Sequence, residues 1–346
     1  MPVLLILAAL PVLAAEAQHH PGSQSAKPHN HSAAQIGEAQ PQLAARGSEA
    51  VLAYGEDGQI VVRVSSDGGK TFGPASKIVP PAKPMVGRHR GPRAVIFGQT
   101  IVVSAIAGGD LWSWRSTDGG KTWLSPSRIN DVEQAAKEGL HAMAAGPDFL
   151  AATWLDLRTG KMTLSSSISK DGGKSWMPNR TVYTSPDGAI CTCCHPSMVA
   201  DSAGVLTVMF RNDLAGNRDM YWLQSRDRGQ SWSKAEQFGK GHWTLNACPM
   251  DGGALMLTAD GRPLSVWRRG SEIFQAEAGK PEERLGPGKD AAMAGNLVLW
   301  TTPEGVVSRK GLVAAGGSYP ATVSVPGGVL AAWEAQGKVL TKVISE

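Results

Sequence analysis

The sequence is poor in charge of either sign. Lys and Arg number 34 and Asp and Glu 30 in 346 residues, for a formal net charge of +4. No block of Lys or Arg stands out, which argues against a nucleic-acid partner. Long apolar runs are missing too. After residue 15 no segment is long and apolar enough to span a membrane as a helix, so no transmembrane segment is expected. Cysteine is scarce at four residues, yet three of them fall within Cys191–Cys194. What is abundant is glycine, at 41 residues, with 22 prolines. That suits many short strands and many turns. The 42% hydrophobic and 18% charged composition reads as globular, not disordered.

The N-terminus sets the compartment. Residues 3–15 (VLLILAALPVLAA) are apolar but too short for a span, and Ala15-Glu16-Ala17 offers a small-x-small cleavage site. Residues 1–17 are therefore expected to be a signal peptide, giving an exported protein, periplasmic or secreted. The competing reading is an apolar first strand. Residues 18–41 are polar, carry His19, His20, His29 and His31, and lack a hydrophobic period, so a disordered tail is expected there. If cleavage follows Ala17, the amine of Gln18, two backbone nitrogens and His20 suit a square-planar copper(II) or nickel site. His19 and His20 are thus tail metal candidates. The bland alternative is a solvated tail. The folded domain is expected over 42–346.

The chain repeats itself. Segments 65–72, 116–123, 169–176 and 225–232 read SSDGGKTF, STDGGKTW, SKDGGKSW and SRDRGQSW. Their aspartates, Asp67, Asp118, Asp171 and Asp227, step by 51, 53 and 56 residues. A period near 50 indicates a propeller or solenoid. Each copy follows an alternating strand. The Asp side chain can accept bonds from turn amides, the glycines accept positive φ, and the final aromatic packs back. These acids are expected to be structural.

The repeats resemble the Asp boxes of the sialidase-like superfamily, also called bacterial neuraminidase repeats. The resemblance implies an all-β propeller of four-stranded antiparallel blades, with each box between the third and fourth strand. First strands are expected near Leu43, Arg93, Ala142, Ser197, Met250, Ala291 and Pro320. That gives seven blades, although six is the family norm.

Residues just before innermost strands gather at one mouth of a propeller channel. Lined up this way, Arg88-His89-Arg90, His141, Cys193-Cys194-His195, Cys248, Asp290 and Tyr319 all approach one axis. Cys191-Thr192-Cys193-Cys194-His195 is the rarest local feature, and three readings compete. Cys191, Cys193, Cys194, His195, Cys248 and His141 suit a soft metal, copper first and zinc second, for metal handling or redox chemistry. Exported cysteines in even number also form disulfides, leaving a non-catalytic binding scaffold. Cys191-x-x-Cys194-His195 also fits c-type haem attachment.

The remaining alternative is a glycoside hydrolase of the sialidase superfamily, acting on glycans. That resemblance implies three arginines on a substrate carboxylate, a Tyr–Glu nucleophile pair and an Asp acid/base. Tyr319 resembles the nucleophile position. Ala39 stands where the first-blade arginine should precede Pro41, so sialic-acid cleavage is not expected. The partner at the mouth is a metal ion or small ligand, with a glycan as the other candidate.

Overall fold

The computed structural model describes residues 37–345. The expected signal peptide and the tail histidines lie outside them. The first strand, Ala39–Arg46, begins three residues before the expected domain start at 42.

Seven antiparallel sheets follow one another along the chain, each in simple sequence order from its first strand outward. They cover residues 39–78, 93–128, 141–183, 197–237, 254–287, 289–315 and 318–344, here blades I to VII. The first strands touch one another in cyclic order, and that of blade VII touches that of blade I, so the ring closes. The fold is a seven-bladed β-propeller. Blade VII differs from expectation, with three strands among the described residues where the other blades have four. No helix of the described residues is long and apolar enough to cross a membrane.

The sequence of the middle strands follows from their position. A neighbouring blade covers each face, so both faces must be apolar or small. Ile101–Ala107 within the second strand of blade II is buried throughout, as are Leu150–Asp156 and Thr163–Ser169 in blade III. Trp114, Trp154, Trp267, Trp300 and Trp333 fill the gaps between blades.

The four boxes occupy the turns between third and fourth strands. In the first, Ser65 Oγ donates to Asp67 Oδ1 (2.7 Å) and accepts from Gly69 N (2.8 Å). Asp67 in turn accepts from Thr71 N (2.9 Å) and Thr71 Oγ1 (2.6 Å). The box aromatics reach further than a hairpin lock. Trp123 Nε1 donates to Ser76 Oγ of blade I, and Trp176 Nε1 to Ser113 Oγ of blade II. Gly120 lies against Val64 of blade I, where a Cβ would be 2.8 Å from a methyl. Each of these boxes therefore also fastens its blade to the one before.

Closure between blades VII and I uses polar bonds. Glu38 accepts from Val339 N (2.7 Å), and Glu38 N donates to Gly337 O (3.0 Å). Glu334 Oε1 accepts from both Gln40 N (2.7 Å) and Gln40 Nε2 (2.9 Å).

Candidate functional site at the channel mouth

Antiparallel order decides which residues share an end of the channel. First strands begin where second strands finish, so both sets of ends lie at one mouth. The third-to-fourth turns, and hence the boxes, lie at the opposite face. The mouth thus collects His89, Asp290 and Tyr319 from strand starts, and Arg211, Arg268 and Glu334 from ends of second strands.

The backbone there is unusual. Of eleven non-glycine residues with positive φ among the described residues, six are Gln40, Arg88, His89, Met250, Asp290 and Tyr319. All six lie at or just before first strands. Such residues are uncommon, and clusters of them are held in place at working sites more often than elsewhere.

His89 is the centre of one cluster. Its Nε2 is 2.9 Å from Asp290 Oδ1. Its ring stacks on His195 with centroids 4.4 Å apart, and Tyr319 meets it edge-on at 5.3 Å. Lys289 Nζ is 3.6 Å from Asp290 Oδ2 and faces the Tyr319 ring. Two carboxyls here are driven in opposite directions. Burial alone would raise Asp290, but the bond and charge of His89, with Lys289, outweigh it and hold the group below the ordinary carboxylate value. Burial raises Glu334, aided by the charge of Asp290 and opposed by the Gln40 bonds. Burial and the same two carboxylates push Tyr319 up to about 12.

The second cluster is made of sulfur. Cys191, Cys193 and Cys194 are buried, and their sulfurs lie within 4.8 Å of one another. The Cys191–Cys194 separation is 3.1 Å and the Cys191–Cys193 separation 3.7 Å. Cys248 and Met250, both partly exposed, pack against the three. Hydrogen bonds from Cys193, then Cys194, hold the Cys191 thiol well below the ordinary thiol value. Cys193 is pushed up by bonds to Cys191, Cys194 and Cys248, and Cys194 by burial and then its bond to Cys191.

The two histidines of the expected metal set stand apart from these sulfurs. His195 Nε2 is 3.0 Å from Gly253 O, and Gly252 N donates to its Nδ1 (3.3 Å). Both ring nitrogens are thus committed to the backbone of the next blade, where a Cβ at Gly252 would collide with the His195 carbonyl. His141 is fully buried between blades II and III, with Nε2 2.8 Å from Ser104 Oγ. Burial first, then the charge of Arg93, push its pKa well down. The same geometry does not suit a c-type haem. Thioether attachment needs Cys191 and Cys194 open to a porphyrin, and both are at most 1% exposed.

The arginines of the mouth mostly hold backbone. Arg211 is fully buried and spends Nε, Nη1 and Nη2 on the carbonyls of Asp251, Arg218 and Arg268. Arg93 donates to the carbonyls of Pro92 and His89, and Arg268 to that of Gly270. Ala39, in place of an expected arginine, is buried in its strand. Glu334 is the mouth residue that motif reading missed. Its only sequence signal is its place at the end of the second strand of the last blade.

Together these features define a class: a seven-bladed propeller with box turns on one face and a strained, polar mouth on the other. The chain belongs to the BNR repeat-like domain family, whose pattern matches residues 82–331. No curated protein matches it in sequence. Among solved structures, the Hadza microbial sialidase Hz136 superposes with a TM-score of 0.51 and 14% identity. That match covers 89% of this chain and 66% of the sialidase, so this chain spans about two thirds of that length. The α-L-arabinofuranosidase Arb93A from Fusarium graminearum superposes with a TM-score of 0.54 and 14% identity. There the match covers 90% of this chain and 98% of the other. These likenesses are of fold.

Proposed function

We propose that this protein is a glycoside-hydrolase-like propeller that cleaves a glycan other than a sialoside at its channel mouth. The observation that carries this reading is the pair of mouth carboxyls in unlike settings: Glu334 half-buried against the Gln40 amide, and Asp290 2.9 Å from His89 Nε2 beside Lys289, settings that push the one up and the other down. Glycoside hydrolysis asks for one carboxyl that keeps its proton and one that has lost it. In this reading Glu334 protonates the leaving oxygen. Asp290, oriented by His89, attacks the sugar carbon or activates water. The fold shared with a sialidase and an arabinofuranosidase supports the class. The arginines bound to carbonyls, with Ala39 at the clamp position, argue against a carboxylated sugar. Assay of aryl glycosides tests it: turnover of a neutral substrate is expected, and none of an aryl sialoside.

A second reading rests on a separate observation, the three buried sulfurs. They suit a soft metal, copper first and zinc second, in metal handling or redox chemistry. Metal–thiolate bonds of about 2.3 Å place sulfurs about 3.8 Å apart in a tetrahedral site. The Cys191–Cys193 separation of 3.7 Å is close to that. Arg211 adds support, because this buried cation has no carboxylate partner among the described residues and exerts its charge on Cys191. Thiolates bound to metal would supply its counter-charge. In this reading the donors are sulfur, with His195 and His141 left in their present bonds. Export fits both readings. It rests on the apolar segment at residues 3–15 and the cleavage site after Ala17, and His19 and His20 would then lie near the new terminus.

A further inference from the structure

The sulfurs of this site are graded by depth. Cys191, Cys193 and Cys194 are at most 1% exposed, whereas Cys248 and Met250 are partly exposed and pack on the same cluster. Cys248 is hydrogen-bonded to Cys193 through its side chain. It does not belong to the group of three sulfurs that lie within 4.8 Å of one another. Met250 is held in the left-handed region at φ 56°, and its sulfur accepts from Arg88 Nη1 at 3.3 Å. A sealed triad has no direct route for an ion from solvent. A partly exposed thiol in contact with one member provides such a route.

We propose that Cys248 is the loading ligand of the triad. It would take a soft cation, copper(I) by preference, from solvent or from a thiol-bearing donor and pass it inward to Cys193. The inference rests on the soft-metal reading of the triad. Cys248 first loses its thiol proton to water as its sulfur binds the ion. The Cys193 thiol then loses its own proton as its sulfur bonds the metal, and the Cys248–metal bond breaks. Cys191 and Cys194 complete a three-sulfur site as they release their thiol protons to water, and Cys248 takes up the proton that Cys193 lost. The oxidation state of the metal is unchanged throughout. Soft donors in succession allow this exchange, because each new bond resembles the one it replaces. Met250 offers a thioether at the outer end.

The experiment uses the full chain, reduced and free of metal, with copper(I) as the probe under anaerobic conditions. Stoichiometry and affinity are read by competition with a copper(I) chelator, and uptake by stopped-flow absorbance of the thiolate bands. Wild type is expected to bind one ion with a fast phase. Cys248→Ser should keep the ion and its affinity but lose the fast phase, and Cys193→Ser should lose tight binding. Loss of the ion in Cys248→Ser would overturn the inference and make Cys248 a resident fourth ligand, with the metal reading intact. Unchanged uptake in that variant would also overturn it. Absence of uptake by wild type would overturn the metal reading and this inference with it. Thermal melts of each variant separate loss of a ligand from loss of the fold.

Discussion

The two ends of this propeller use the same residue types to opposite effect. At the box face, each aspartate is satisfied by its own turn. Asp227 accepts from Ser225 Oγ, Ser231 N and Ser231 Oγ, and these bonds lower its pKa to about 2. Everything the carboxylate needs comes from within seven residues of chain. At the mouth, Glu334 is bonded by Gln40 of blade I and Asp290 by His89, just before blade II, with Lys289 of its own blade beside it. Asp290 Oδ2 is buried, with the Lys289 ammonium at 3.6 Å as its neighbour and no closer hydrogen bond. An acid satisfied locally is part of the scaffold. An acid held by another blade at the mouth is placed to meet a ligand. The difference lies in the completeness of the bonding, which residue type alone does not reveal.

The comparison can be broken from either end. The largest expected effect is at Arg211, whose removal takes the guanidinium donor from three carbonyls, one buried and two part-buried. Arg211→Leu should destabilise the protein by roughly 3 kcal/mol or more, read by denaturant unfolding. A near-neutral result would mean that blades IV and V do not depend on that guanidinium. Next comes Asp290→Asn, which should cut glycoside turnover about 10²-fold or more while the melting temperature changes little. Equal losses of turnover and stability would place Asp290 with the scaffold. Asp171→Ala at the box face should show the reverse, a loss of about 1 kcal/mol in stability with the activity of folded protein unchanged. The smallest effect is in pH. Asp227 is depressed from 3.8 to about 2 in the folded protein. Its stabilisation is present above 3.8 and is lost as pH falls toward 2. Acid melts of Asp227→Asn should therefore diverge from wild type above that window and converge below it.

The fold was legible because its strongest signal is local and repeated. Four boxes at a near-constant step define blades without any long-range information, and seven first strands could be counted from alternating runs. That blade VII has three strands among the described residues was not legible, since no motif there marks a fourth strand. The convergence of Cys191, Cys193, Cys194 and Cys248 on one mouth followed from aligning strand starts. The commitment of His195 did not. Its partners Gly252 and Gly253 are 57 and 58 residues away, and nothing in a Cys-Cys-His string reports that both nitrogens are used. Met250 was expected to open a first strand, but Ala254 does so, because positive φ at Met250 and Gly253 keeps the intervening chain irregular. Glu334 escaped notice for a related reason. Second-strand ends reach the mouth only through the ring geometry, and Glu334 ties the last blade to the first across 294 residues.

The central claim is that the mouth, through Glu334 and Asp290, does the chemistry. Glu334 suits a direct test because Gln preserves the carbonyl oxygen that accepts from Gln40. In the folded protein the carboxyl keeps its proton to a higher pH than the ordinary 4.5. Its contribution to stability is thus full below 4.5 and falls as pH rises through the folded value, so a neutral amide should not weaken the fold at pH 7. The measurement is hydrolysis of a panel of neutral aryl glycosides by wild type and Glu334→Gln, with melting curves of both. The account predicts turnover of at least one substrate by wild type. It predicts a loss of about 10²-fold or more in the variant, with no fall in melting temperature. No turnover of any glycoside, or equal turnover by the two proteins, would contradict it.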